Sequence, residues 1–524
     1  MQFDPVFAMP PTLELPPQPN RSKRSQDDSS DIVRAYFDCI APELDRWNHR
    51  NRSYYRDLEV FHQFFIPPGS KVLEIGCGTG DLLARVKPGE GVGIDFSANV
   101  VAIAAAKYPH LKFYCLDAET LTPADLRLAD LDQGDRRDRQ QNETGCETFD
   151  FIIISGTLGH LGNIQTVLQQ VQAFCTPQTR LILTFHNFLW QPLLDLAERV
   201  GQRRPQPPQS WLSMDDVQNL LTITGFQTVK SGRRFLCPKA VPLLSSIVNR
   251  VLVQLPGLNH LGLINTVVAR SQVARSQVPN LSNQGLTCSV VIPARNEAGN
   301  IQNAIDRLPR LGRHTEVIFV EGHSTDKTWE TIQQVVSQGH PYFTLKAFQQ
   351  TGKGKADAVR LGFEQAEGDV LMILDADLTV QPEDLPHFFE VIESGRGEFV
   401  NGSRLVYPRS GSAMPWLNNL ANKFFSLAFS FLLGQTIKDT LCGTKVIRRS
   451  DYLNLVAGRT YFGDFDPFGD FDLLFGATKL GLHLVDVPVR YQPRVYGTSN
   501  IAHVREGLIL LKMCLYASRK IKFF

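Results

Sequence analysis

Val72-Leu73-Glu74-Ile75-Gly76-Cys77-Gly78-Thr79-Gly80 and, far downstream, Asp369 to Leu374 running into Asp375-Ala376-Asp377 decide how this 524-residue chain is read. Each is a short apolar run that ends in residues able to hold a ligand. In the first, Gly76, Gly78 and Gly80 leave a turn without side chains, so a ligand can approach the backbone and bond its amides. In the second, two carboxylates at a strand end suit a divalent cation held against a diphosphate. Two sites of unrelated chemistry predict two modules. The length agrees, because domains commonly run ~100 to 200 residues.

Outward from the first stretch, Lys71 to Ile75 reads as a buried strand, Gly91 to Ile94 as a second ending in Asp95, Leu111 to Leu116 as a third ending in Asp117-Ala118, and Phe149 to Ile154 as a fourth ending at Ser155. Ala35-Tyr36-Phe37 and Arg46-Trp47 read as amphipathic helices ahead of this sheet, and Arg180 to Phe185, Gln227 to Phe235 and Leu261 to Ala269 as its closing strands. A nicotinamide-binding fold also puts an acid after its second strand, where Asp95 stands. The Gly-x-Gly-x-Gly spacing and the preceding Glu74 point elsewhere. The series Glu-Ile-Gly-Cys-Gly-Thr-Gly, Gly-Ile-Asp, Leu-Asp-Ala and Phe-Asp-Phe-Ile-Ile resembles class I S-adenosylmethionine-dependent methyltransferases, over residues 31–270. The resemblance implies a Rossmann-like α/β domain. It also implies cofactor contacts from Glu74, Gly76, Gly78 and Gly80 along the methionine part, Asp95 at the ribose, and Asp117 with Ala118 at the adenine. Methyl transfer from a sulfonium needs alignment first and a base only for a hydroxyl acceptor. His160 and His186, just past strand ends, are candidate bases, although a histidine so placed is more often an ordinary polar loop residue.

Ser271 to Gly285 loses periodicity and gains Ser, Gln and Asn, which marks 271–287 as a linker and gives no reason for strong coupling between the modules. Beyond it, Cys288 to Ile292, Glu316 to Val320 and Asp369 to Leu374 read as strands alternating with helices, hence a mostly parallel sheet over 288–524 with ligands at its carboxyl ends. Lys353 and Lys355 are placed to add charge-assisted contacts to a diphosphate. An Asp-Ala-Asp alone is a weak signal. With Val-Val-Ile-Pro-Ala-Arg-Asn-Glu (290–297) and His-Ser-Thr-Asp-Lys-Thr (323–328) it resembles the inverting family 2 glycosyltransferases, which have a GT-A fold. The family pattern Asp-Asp-Gly-Ser-x-Asp stands here as Glu321-Gly322-His323-Ser324-Thr325-Asp326, without the second acid, so the nucleotide stays open.

That resemblance implies Asp375 and Asp377 as metal ligands for Mg or Mn. It implies Pro293, Arg295, Glu297, Glu321, Asp326, Lys353, Lys355 and Asp375 as contacts to a nucleotide-diphosphate sugar. Asn401 to Arg404, Asp439 to Lys445 and Arg494 to Asn500 follow the order of polyprenyl-phosphate sugar transferases, which adds Arg404, Arg494 and Ser499, although Ser-Asn replaces the usual Ser-Lys. Asp472, then Asp470, match the acid at the acceptor site, a catalytic base if the acceptor is a hydroxyl. Polyprenyl phosphate and a glycan both remain as acceptors. A sugar nucleotidyltransferase would carry a Gly-x-Gly-x-Arg loop where Pro293 to Glu297 stands, and a scaffold with a silent cofactor-binding module is the other alternative.

The 54 Lys and Arg nearly cancel the 53 Asp and Glu, so no global field draws nucleic acid. Nine scattered cysteines without Cys-x-x-Cys spacing favour a reducing cytoplasm. Residues 1–30, rich in Pro, Gln and Ser, read as a disordered arm. No apolar run reaches the ~18 residues of a bilayer span. Trp416 to Leu433 and Gly507 to Leu515 read as apolar amphipathic helices, suited either to packing on the sheet or to peripheral contact with the inner face of a membrane.

Overall fold

The computed structural model describes residues 26–132, 147–207, 209–238, 244–272, 285–404, 406, 416–462, 470–492, 494, 496 and 503–523. The arm before residue 26, most of the linker, much of the charged insertion at Asp130 to Thr148, and Ser499 lie outside them. A helix, Gln26–Ile40, begins inside the stretch read as a disordered arm.

The first sheet contains β1 (Lys71–Ile75), β2 (Glu90–Asp95), β3 (Lys112–Cys115), β4 (Phe149–Ser155), β5 (Cys175–His186), β6 (Phe226–Arg234) and β7 (Ile264–Ser271). Their order is β3-β2-β1-β4-β5-β7-β6. The first five are parallel and β7 is antiparallel to both its neighbours. Val72, Leu73, Ile152, Ile153, Leu181 and Ile182 are fully buried, as befits parallel strands covered on both faces. Register brings Ile75 level with Ile94 and Ile154, so Gly76, Asp95 and Ser155 emerge together at one edge.

The second sheet contains β8 (Cys288–Ala294), β9 (Thr315–Glu321), β10 (Phe343–Gln349), β11 (Val370–Ile373), β12 (Phe399–Ser403), β13 (Lys445–Arg448) and β14 (Leu484–Pro488). It runs β10-β9-β8-β11-β13-β12-β14, with β13 antiparallel between β11 and β12. Val291 lies level with both Ile318 and Ile373, so the loops after β8, β9 and β11 share one carboxyl edge. The helices Trp416–Leu433 and His503–Ala517 pack on each other.

The two sheets are not independent. Arg180 and Arg270 are cross-strand partners on β5 and β7, a pairing that like charges oppose. Glu398, from the second sheet, resolves it: Arg180 donates to both its carboxylate oxygens at 2.9 and 3.0 Å, and Arg270 lies 3.4 Å away. All three side chains are at most 5% exposed. Arg180 also donates to the Gly481 carbonyl and Arg270 to that of Gly395, while Lys479 donates to the Phe64 carbonyl. One continuous apolar core joins Phe61, Phe64, Phe65 and Val268 to Phe429, Phe475 and Leu482. The shared core and buried ion pairs supply a coupling that the linker residues gave no reason to expect. Replacing Glu398 by Ala leaves two cross-strand arginines buried without their counter-ion. We expect a loss of ~3–5 kcal/mol of stability, read by denaturant unfolding of the full chain.

Candidate functional site

At the edge of the first sheet, Gly76, Gly78 and Gly80 all have positive φ, a conformation that a side chain would strain. A Cβ on Gly76 would collide with Thr157, whereas one on Gly78 would meet open space, so the turn is tight on one side and open to a cavity on the other. Asp95 accepts from the amides of Gly78 and Ser97, both at 3.1 Å, and burial still pushes its carboxyl up. Glu74 is 3% exposed with Oε2 unpartnered, and burial raises its carboxyl well above the ordinary range. A buried acid with an orphaned oxygen beside an open glycine turn fits a cationic, amide-bonding cofactor. Asp117 accepts from the Glu119 amide at 2.9 Å and, with Ala118, lines the same cavity of about 2250 Å³.

His160 and His186 also line this cavity. Burial lowers His160 to about 4 and His186 to about 3, so both are neutral at physiological pH. His186 Nε2 lies 3.2 Å from the Tyr54 hydroxyl, while His160 Nδ1 is buried without a partner. Sequence reasoning missed Arg203 and Arg204 in the same wall. The only signal was an adjacent basic pair in a Gln- and Pro-rich loop.

At the carboxyl edge of the second sheet, Asp375 and Asp377 follow β11. Lys355 Nζ lies 2.5 Å from Asp375, and Arg494 lies 2.6 Å from Asp377 and 3.9 Å from Glu297. Burial opposes ionisation of Asp375, but Lys355, helped by Lys445 and Arg404, outweighs it and holds the carboxyl below its usual range. Gly443 lies so close to the Asp375–Lys355 pair that a Cβ there would collide with both. Two adjacent carboxylates, each already facing a monocation, are a donor set that fits a divalent cation completed by ligand oxygens. Among the described residues no group of three or more His, Cys, Asp or Glu makes an all-protein metal site.

Pro293 and Arg295 lead into the same edge, where the Asn296 amide donates to Ser324 and that of Ala298 to Asp326. Glu321 accepts from the Ser324 amide at 2.5 Å and from Gln349 at 3.1 Å, and Lys353 is exposed on the loop ahead of Lys355. Two expected residues are engaged elsewhere. Arg404 forms a bidentate pair with the buried Asp439 at 2.7 and 2.9 Å, so its guanidinium braces β12. Asp472 is 3% exposed and lies between Arg459 at 2.9 Å and Arg360 at 3.3 Å. Asp470 begins the helix Asp470–Lys479, and its side chain is outside the description.

Residues 47–231 match the family model described as methyltransferase domain, and residues 289–455 match that of glycosyl transferase family 2. The chain joins a methyltransferase domain to a family 2 glycosyltransferase domain. Both are enzyme families. The glycosyltransferase domain is 30% identical over 220 residues to the dolichol-phosphate mannosyltransferase of Pyrococcus furiosus, covering 41% of this chain and 58% of that protein. It is 25% identical over 221 residues to the undecaprenyl-phosphate 4-deoxy-4-formamido-L-arabinose transferase of Pectobacterium carotovorum, covering 41% and 63%. The match thus spans less than two thirds of either relative. Glucosyl-3-phosphoglycerate synthase of Mycobacterium tuberculosis, solved with Mn2+, uridine diphosphate and glucosyl-3-phosphoglycerate, aligns at 19% identity over 45% of this chain and 80% of that one, with a TM-score of 0.35.

The buried histidines set a pH dependence. His62 is fully buried and lowered to about 4 by burial, below its unfolded value of ~6.5, so the unfolded chain binds more protons between these values. Stability is therefore lost as pH falls through that window, by up to ~3 kcal/mol for His62 alone. Denaturant midpoints at pH 7 and pH 5 should differ more in the wild type than in His62→Gln.

Proposed function

We propose that the chain is a bifunctional transferase: the methyltransferase domain transfers methyl from S-adenosylmethionine, and the glycosyltransferase domain transfers a sugar, with inversion, from a nucleotide diphosphate to a polyprenyl phosphate. The observation that carries the sugar-transfer reading is the pairing of Asp375 with Lys355 and of Asp377 with Arg494 at one strand end. Mg or Mn bound there supplies charge that stabilises the departing diphosphate. Asp375 and Asp377 would hold the ion, with Lys353 and Lys355 orienting phosphate oxygens and Arg494 released toward a phosphate, which suits its planar fork. Pro293, Arg295, Glu297, Glu321 and Asp326 frame the nucleotide. Arg404 supports this wall from behind through Asp439.

The engagement of Asp472 by two arginines favours a phosphate acceptor, which arrives ionised and needs no base, over a glycan hydroxyl. The names of the two sugar-transferase relatives point the same way. Phe424, Leu427, Leu508, Leu511 and Leu515 stand exposed on the two mutually packed helices, a face suited to lying on a membrane. Among the described residues no helix is long and apolar enough to cross one. This reading puts the protein in the cytoplasm, against the inner membrane face.

In the methyltransferase domain, S-adenosylmethionine supplies the electrophilic methyl group. Glu74 and the glycine turn would receive its methionine part, Asp95 the ribose, and Asp117 with Ala118 the adenine. Asp95→Ala should weaken calorimetric binding of S-adenosylmethionine to the full chain by ~1–3 kcal/mol, since ribose hydroxyls lose their acceptor. Unchanged affinity in a folded variant refutes the site.

For sugar transfer, a panel of nucleotide sugars is titrated with and without Mn, then offered polyprenyl phosphate in vesicles or a soluble glycan. Asp377→Ala should abolish metal-dependent transfer and keep S-adenosylmethionine binding. Full activity in chelator rejects the metal-held diphosphate, and efficient transfer to the glycan alone rejects the lipid acceptor.

A further inference from the structure

The methyltransferase cavity, about 2250 Å³, exceeds the ~300–1,000 Å³ typical of a single small-molecule site, so space remains beside the proposed cofactor. One wall of that space is unusual in its polar groups. Among the described residues no hydrogen bond or ion pair reaches the guanidinium of Arg204, and its Nη1 is buried without a partner. Its neighbours are the ring faces of Tyr36 at 5.9 Å and Phe37 at 5.5 Å. Phe37 in turn meets His160 edge-on at 5.6 Å, and His160 Nδ1 is likewise unpartnered. Arg203, next in sequence, differs: it lies 2.5 Å from Glu198.

The loop is held where it stands. The Ser210 amide donates to the Gly159 carbonyl at 2.7 Å, and the Tyr36 hydroxyl donates to the Pro205 carbonyl. Arg204 is thereby held near His160, after β4, with Phe37 between them. Aromatic faces hold the guanidinium plane without using its N–H donors, which leaves the fork free for an oxyanion.

We propose that Arg204 binds an oxyanion of the methyl acceptor, a carboxylate or a phosphate, so that the acceptor is an anionic molecule. The proposal rests on the methyltransferase reading and names the substrate class of that site. A guanidinium presents parallel N–H groups matched to either anion, and a neutral acceptor would leave them unpaired.

The full chain, with and without S-adenosylhomocysteine, is titrated calorimetrically with 4-hydroxybenzoate, phenyl phosphate and the neutral 4-hydroxybenzamide. At least one anion should bind wild type tenfold or more tighter than the amide, and which anion does so separates carboxylate from phosphate. Arg204→Gln should erase that margin, and Arg204→Lys, which keeps the charge without the fork, should retain part of it. Thermal melting checks that each variant folds, and the lysine variant carries the test if the glutamine variant does not. Equal binding of amide and anions, an unchanged margin in both variants, or no anion binding to wild type overturns the proposal. So does a tenfold loss of S-adenosylhomocysteine affinity in Arg204→Gln, which would assign Arg204 to the cofactor. Wild type that binds an anion through Arg204 but never S-adenosylhomocysteine refutes the methyltransferase reading instead.

Discussion

Glu398 sits where the two halves of this protein cannot be separated cheaply. Arg180 and Arg270 face each other across β5 and β7, and nothing within that sheet neutralises them in the contacts described. The counter-ion arrives from the residue just before β12 of the other sheet, buried with both arginines. A buried pair of like charges is tolerable only with an opposing charge and good geometry, so the first sheet in its present form presupposes the second. The continuous core from Phe61 and Phe64 to Phe475 and Leu482 extends the same dependence to apolar surface.

The candidate sites use charge differently. In the methyltransferase domain the polar groups are unfulfilled: Glu74 Oε2, His160 Nδ1 and Arg204 Nη1 are buried without partners around one cavity. Orphaned buried groups are uncommon in folded proteins and mark places completed by something else. In the glycosyltransferase domain the carboxylates at and behind the candidate site are ion-paired instead. Asp375, Asp377, Asp439 and Asp472 each have a cation beside them. Binding of the proposed divalent ion and diphosphate would exchange these ion pairs for new ones, in competition with Lys355 and Arg494.

Fusion with a shared core has a consequence for function. The edge carrying Gly76 and Asp95 and the edge carrying Asp375 and Asp377 are each set by strand register, which fixes them within their own sheets. The interface then fixes one sheet against the other through Glu398, Gly481 and Lys479. The two candidate sites thus stand on sheets that share a core and buried ion pairs.

The first sheet and the three site-bearing strands of the second, β8, β9 and β11, were legible in the sequence because their signals are local, whereas β10, β12, β13 and β14 were not read from it. An apolar run of four to seven residues ending in Gly76, Asp95 or Asp375 declares both a buried strand and the chemistry at its tip. Residues brought together from distant segments were not legible. Nothing near Glu398 in sequence announces Arg180, and nothing near Asp472 announces Arg459 and Arg360 as the partners that engage it. Nothing near Arg404 announced Asp439 as its bidentate partner, and Arg204 looked like nothing until Tyr36 and Phe37 framed it. The sequence by itself determined the strands that carry the candidate sites, their order of chemistry and the two families, since backbone and motif preferences act within a few residues. Tertiary structure alone decided which charges are paired, which stay open to a ligand, and that the modules share a core, because electrostatics and burial depend on distances that the chain sets only once folded.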